Sequence, residues 1–128
     1  MNKEFLIEKI KNFLKDRDEI IFAYVFGSSI EEQVFNDIDL GVYVDESDPR
    51  VKDAFYDIDL SLKLEKYLHL PVDVVLLNWA NSIIIFRASK GVLVKNNDDN
   101  LRVDFITKHW KLYWDIKDRI REYVKERG

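Results

Sequence analysis

The chain has 128 residues, no cysteine and a formal net charge of -4. That length suits one domain, the missing cysteines exclude disulfides and thiolate zinc sites, and no apolar run approaches the roughly 18 residues of a membrane span. The charge is uneven: Met1 to Asn100 carries 12 Lys+Arg against 19 Asp+Glu, or -7, and Leu101 to Gly128 carries 8 against 5, or +3.

An acidic chain with a pI near 5.2 lacks the basic face that general nucleic-acid binding needs. Acids among the first residues, Met-Asn-Lys-Glu-Phe-Leu-Ile-Glu-Lys, interrupt any signal-peptide core. A cytoplasmic protein is the simplest reading. The basic C-terminal stretch reads either as a solvated helix face or as a docking surface for an acidic partner.

Asn2 to Lys15 spaces Phe5, Leu6, Ile10, Phe13 and Leu14 at the helical period. Ile20 to Phe26 is an unbroken apolar run, short and rich in β-branched and aromatic residues. It predicts a strand buried on both faces. Gly27-Ser28-Ser29 ends it, and Ile30 to Asn36 reads as a loop or a single turn. Asp37 to Val44 then alternates. Ile38, Leu40, Val42 and Val44 take one face, and Asp37, Asp39, Gly41 and Tyr43 take the other.

Further on, Val51 to Leu68 predicts a helix whose apolar stripe runs through Val51, Phe55, Ile58, Leu62, Leu64 and Leu68, stopped by Pro71. Val72 to Leu77 predicts a third strand carrying one acid, Asp73. Trp79 to Ser89 predicts a shorter helix. Gly91 to Lys95 predicts an edge strand, and Asn96 to Asn100 a turn and cap. Leu101 to Arg127 predicts a long helix with Ile106, Trp110, Tyr113, Ile120 and Val124 near one face. For Trp110, Tyr113 and Trp114 core packing is the default, with a partner interface or base stacking as alternatives. The sum is an α/β (α+β) fold: one domain over residues 1–128, a small mixed sheet flanked by helices, and a long C-terminal helix.

Two acids at i and i+2 on a strand share a face and repel each other. Magnesium, a hard cation, relieves that repulsion, and Asp73 on a neighbouring strand would complete a site for two ions. Gly27 lets backbone approach a phosphate, to which N–H groups and the Ser28 hydroxyl can donate. Such parts suit nucleotidyl transfer from a nucleoside triphosphate. The chain holds its own control. Asp57-Ile58-Asp59-Leu60 repeats the tetrapeptide of Asp37 to Leu40 in a helical context, where the two acids diverge by about 200° and cannot share an ion. His69 and His109 lack any partner at metal-ligand spacing.

F-G-S-S, then N-D-I-D-L-G-V-Y-V, then P-V-D-V-V-L-L resembles the minimal nucleotidyltransferases (MNT) of the DNA polymerase β superfamily. The likeness runs on through F-R-A-S-K-G-V-L-V-K-N and covers roughly Ile20 to Lys95. It implies that Asp37 and Asp39 hold two magnesium ions. It implies that Asp73 binds the catalytic ion and orients or deprotonates the attacking hydroxyl, and that Gly27, Ser28 and Ser29 hold the triphosphate of ATP. Many such proteins act as antitoxins to a HEPN-domain ribonuclease toxin, some by moving AMP from ATP onto it. The resemblance therefore implies a HEPN toxin as partner, with neutralisation by binding alone or small-molecule nucleotidylation as alternatives; self-association stays open. Relatives often carry Ala-Arg-Gly after the Gly-Ser, where this chain has Ser29, Ile30 and Glu31. Arg87 and Lys90 are the candidates for the missing cation.

Overall fold

The computed structural model describes residues 2–27 and 37–127. In chain order these form α1 (Lys3–Leu14), β1 (Ile20–Phe26), β2 (Ile38–Val44), a short 3-10 turn (Pro49–Lys52) and α2 (Tyr56–Leu68). They continue with β3 (Val72–Leu76), a second 3-10 turn (Leu77–Trp79), α3 (Ser82–Ser89), β4 (Val92–Asn96) and α4 (Asp99–Arg127). This is the mixed α/β architecture that the sequence predicts. No helix among the described residues is long and apolar enough to cross a membrane.

The strands lie in the order β3-β2-β1-β4. β1 runs antiparallel to both β2 and β4, and β2 runs parallel to β3. The end of β1 and the starts of β2, β3 and β4 therefore meet at one end of the sheet. Alternation divides the core. Ala23 and Val25 of β1, with Ile38, Leu40, Val42 and Val44 of β2, pack under α1 and α2. Phe22, Tyr24 and Phe26 face the other way, into a second core with Leu77, Ile85 and Ala88. Each of these fully buried apolar side chains is worth about 1.5–3 kcal/mol against exposure. The continuous apolar run of β1 is thus explained by its place inside the sheet with helices on both sides.

Local chemistry sets the helix boundaries. The Asn2 side chain accepts a hydrogen bond from the Phe5 N–H at 2.8 Å, and Asn81 does the same for Ile84 at 2.9 Å. Asp98 accepts from Leu101 N–H at 3.0 Å and opens α4. At the far end of α1 the Lys95 ammonium, reaching across from β4, donates to the carbonyls of Leu14 (2.8 Å) and Arg17 (2.7 Å).

Two sequence expectations need correction. α2 begins at Tyr56, and its buried face is Tyr56, Leu60, Leu64 and Leu68. Phe55, Ile58 and Leu62 of the expected stripe are 68%, 53% and 60% exposed. A 3-10 turn holds Val51, and the Asp53 carboxylate accepts from Phe55 N–H at 2.9 Å, so no helical phase passes from Val51 into α2. In α4 no residue is buried. Leu101, Phe105 and Ile106 pack on the second core, whereas Ile120 and Val124 are exposed.

Candidate active site

Asp39 and Asp73 are register partners on the parallel strands β2 and β3, so their side chains leave the sheet side by side. Across β2, Asp39 is also the register partner of Phe26 on β1, next to Gly27. Asp37 lies two residues before Asp39, just ahead of β2, and its charge acts on Asp39. The structure brings Asp37, Asp39, Asp73 and Gly27 to one end of the sheet, on the face that α3 covers. Ser28 and Ser29 lie outside the described residues.

Burial and repulsion act together on Asp39. Partial desolvation raises its pKa most, the charges of Asp73 and Asp37 raise it further, and Arg87 opposes them. Gly27 has φ +103, and a Cβ there would lie 2.3 Å from Oδ2 of Asp39. Glycine is needed at this position for both reasons.

Side chains that bond to the backbone support this end. Val72, immediately before Asp73, donates its N–H to Glu65 of α2 at 3.1 Å, and its carbonyl accepts from the Ser61 hydroxyl. These bonds tie the start of β3 to α2 and leave Asp73 pointing to the opposite face. At the other end of β2, the Asn78 amide accepts from Val44 N–H at 2.9 Å and donates to Val44 carbonyl at 2.8 Å. One side chain thereby continues the ladder where β3 has ended.

α3 closes the site from above. Ile85 and Ala88 are buried against the sheet, and Gly91 abuts Val25 and Phe26, where a Cβ would come within 2.1 Å of the Val25 carbonyl. Arg87 in the last turn of α3 thus sits at the carboxylate end. The aromatic set of α4 holds that turn. Tyr113 stacks on Phe86 at 3.9 Å, Trp110 lies 4.7 Å from it, and the Trp110 indole donates to Ser89 Oγ at 2.7 Å. Packing is therefore the observed role of these rings, although Trp110 and Trp114 stay partly exposed.

The second Asp-x-Asp behaves as its helical setting requires. Asp57 and Asp59 are in the first turn of α2, and Asp59 pairs with Lys63 at 2.8 Å. His69 ends α2 in a left-handed conformation, and His109 bonds Ser82 Oγ through Nδ1 at 2.9 Å.

Among the described residues no group of three or more His, Asp or Glu side chains stands ready to hold a metal ion. The donor set still fits magnesium, which takes one or two carboxylates and completes its shell with substrate phosphates and water. A cation at Asp39 and Asp73 would also relieve the repulsion that raises Asp39.

One group escaped the sequence reading. Glu19 is 1% exposed at the opposite end of β1. Tyr56 donates to its Oε2 at 2.9 Å, Arg17 stands 3.3 Å from Oε2, and Arg50 stands 3.4 Å from Oε1. The cluster joins the start of β1 to the 3-10 turn and to α2. It lies far from the carboxylates along the strand and ties elements together.

This sheet, with paired acids beside a glycine at the end of its neighbour strand, defines a nucleotidyltransferase-type domain. The family model for polymerase beta nucleotidyltransferases matches residues 8–100, and the chain belongs to that family. No curated protein matches it by sequence. Solved structures show the same fold. A chain of the toxin–antitoxin MntA–HepT crystal structure has a TM-score of 0.72 at 20% identity, with 97% of each chain covered. A toxin–antitoxin crystal structure with AMP-PNP gives 0.73 at 21% identity, covering 94% of this chain and 96% of that one. A rebuilt structure of a tri-AMPylated Shewanella oneidensis HEPN toxin in complex with an MNT antitoxin gives 0.72 at 21% identity, with 96% of each covered.

Proposed function

We propose that this protein is a magnesium-dependent adenylyltransferase that moves AMP from ATP onto a hydroxyl of a HEPN-type toxin, in the cytoplasm, and so acts as its antitoxin. The observation that carries this reading is the register pairing of Asp39 with Asp73, with Asp37 nearby, directly beside Gly27. The nature of the complexes that share the fold supports the partner: MNT antitoxin with HEPN toxin, one toxin tri-AMPylated and one complex with AMP-PNP.

In this reading Asp37 and Asp39 hold two magnesium ions and Asp73 shares the catalytic one. When bound, the ions supply neutralisation of the attacking and leaving oxygens. The chain's own residues do the rest. Gly27, with Ser28 and Ser29, accommodates the triphosphate close to the backbone. Asp73, exposed at the sheet edge, orients the acceptor hydroxyl and takes its proton. The hydroxyl oxygen bonds to the α-phosphorus, the bond from that phosphorus to the bridging oxygen breaks, and pyrophosphate leaves.

The test is label transfer from α-labelled ATP to a co-purified HEPN protein. Wild-type protein labels the partner, and Asp37→Asn/Asp39→Asn does not. Equal labelling by the double variant removes these acids from the chemistry.

A second reading, neutralisation by binding without turnover, is favoured by the exposed apolar residues of α4 beyond its contact with α3: Ile116, Ile120, Tyr123 and Val124. Rescue of toxin-arrested cells by the double Asp variant at wild-type efficiency would establish it.

A further inference from the structure

The described end of the sheet is rich in negative charge and poor in positive charge. Asp37, Asp39 and Asp73 meet there. In sequence, the stretch from Ser28 to Asn36 holds Glu31 and Glu32 and no Lys or Arg. A nucleoside triphosphate carries more negative charge than two divalent ions offset while they also balance three carboxylates. The site needs a protein cation, and few described cations are placed to serve.

Lys95 is engaged at the end of α1, and Arg102 donates to Tyr24 and Asp99. Lys90 carries its ammonium 5.4 Å above the Phe86 ring. Arg87 differs. It is exposed, and it forms no salt bridge among the described residues. Its turn is seated between the buried Phe86 and Ala88, braced by the stacking of Tyr113 and by the Trp110–Ser89 bond. The turn after it places Gly91 against Val25 and Phe26, the residues that lead into Gly27.

We propose that Arg87, set by this braced turn beside the Gly27–Asp39 end of the sheet, is the residue that grips the β- and γ-phosphates of the bound nucleotide. The proposal rests on the nucleotidyl-transfer reading of the same site. A planar guanidinium suits two phosphate oxygens at once, which an ammonium does not. The charge of Arg87 already reaches the site, since it is the cation that opposes the upward shift of Asp39. It would also favour departure of pyrophosphate by holding the oxygens on which negative charge grows.

Binding of ATP, ADP and AMP in magnesium tests this, measured by calorimetry on wild type, Arg87→Ala, Arg87→Lys and Lys90→Ala. Loss of a charge-assisted phosphate contact predicts that Arg87→Ala weakens ATP by about 10- to 100-fold and AMP by under about 2-fold. Arg87→Lys recovers part of the loss, and Lys90→Ala keeps the wild-type preference for ATP over AMP. In turnover, KM for ATP rises in Arg87→Ala. A wild-type preference that survives in Arg87→Ala, or that collapses in Lys90→Ala, overturns the assignment of Arg87. A wild-type protein without preference for ATP over AMP overturns the nucleotidyl-transfer reading, and this assignment with it. Thermal melting of the variants, expected to match wild type, separates loss of contact from loss of fold.

Discussion

Gly27 and Asp39 compete for one space. A methyl group on Gly27 would lie 2.3 Å from the Asp39 carboxylate oxygen, and Gly27 has φ +103 besides. The end of β1 is therefore shaped around the acid of its neighbour strand. Gly27→Ala should displace the Asp39 carboxylate by about 1 Å, a misplacement that costs on the order of 100-fold in rate. The backbone strain should lower stability by about 1–3 kcal/mol. Label transfer and a urea melt on the same preparation check both. A variant with wild-type transfer would show that Asp39 tolerates a neighbour there.

The environment of Asp39 gives a stability prediction with a definite sign. Burial first, then Asp73 and Asp37, hold its folded-state pKa above the ordinary value, while Arg87 works the other way. A carboxyl raised on folding contributes stability that is fully present below the unfolded pKa and is lost as pH rises through the folded one. At neutral pH the ionised Asp39 therefore destabilises the metal-free protein. Asp39→Asn should melt higher than wild type at pH 7 without magnesium. The gap should close as pH falls below the ordinary carboxylate value of about 4. Magnesium should raise the wild-type melting temperature and leave Asp39→Asn nearly unmoved, since a ligand stabilises only the state that binds it. A lower melting temperature for Asp39→Asn at pH 7 would contradict the sign.

These relationships were legible in the sequence to different depths. β1 and β2 were readable because the strand period exposes itself in an apolar run and a clean alternation: Ile20 to Phe26, then Asp37 to Val44. The acid face followed from Asp37 and Asp39 alone. α2 was not readable in phase, because Val51, Phe55, Ile58 and Leu62 imitate a helical stripe. The real helix starts only after the Asp53 turn, and it buries Tyr56, Leu60, Leu64 and Leu68. Arg87 was readable as a candidate but not as a cation whose charge acts on Asp39, since that depends on β4 pairing with β1 and drawing Gly91 onto Val25 and Phe26. Glu19 was invisible for a similar reason. A charged residue is buried only with partners, and Tyr56 stands 37 residues away in the chain.

Glu19 yields a prediction confined to stability. Its carboxylate, 1% exposed, accepts from Tyr56 and faces Arg17 and Arg50. Burial and the Glu19 contact push the Tyr56 hydroxyl well above its usual pKa, so it remains a donor at all working pH values. Glu19→Ala removes the partner of a largely buried Arg17. Breaking such a pair costs about 3–5 kcal/mol, and the half-exposed Arg50 places this case near the low end. A fall in melting temperature of about 10 °C is expected. Nucleotide affinity measured well below that temperature should stay at the wild-type value, because the cluster lies at the opposite end of β1 from Asp39. A loss of affinity in the folded variant would mean that the two ends are coupled.

The last prediction concerns the two halves of α4. Leu101, Phe105 and Ile106 join the second core, and Trp110, Tyr113 and Trp114 surround Phe86. Such ring pairs add about 0.5–1.5 kcal/mol each beyond their burial. Beyond Trp114 the helix keeps Ile116, Ile120, Tyr123 and Val124 exposed, and its pairs there are local, such as Arg121 with Asp118 at 3.8 Å. An isolated helical end of this kind gains little from propensity alone. Removing residues 118–128 should therefore leave the melting temperature within about 3 °C of wild type. Phe86→Ala, which removes the ring that these three surround, should lower stability by about 3–5 kcal/mol. If the exposed half meets the proposed HEPN-type partner, the truncated protein should bind ATP like wild type yet fail to label or protect against that partner. A truncated protein that melts far lower would show that the end of α4 supports the fold, and one that labels the partner normally would place the toxin contact elsewhere.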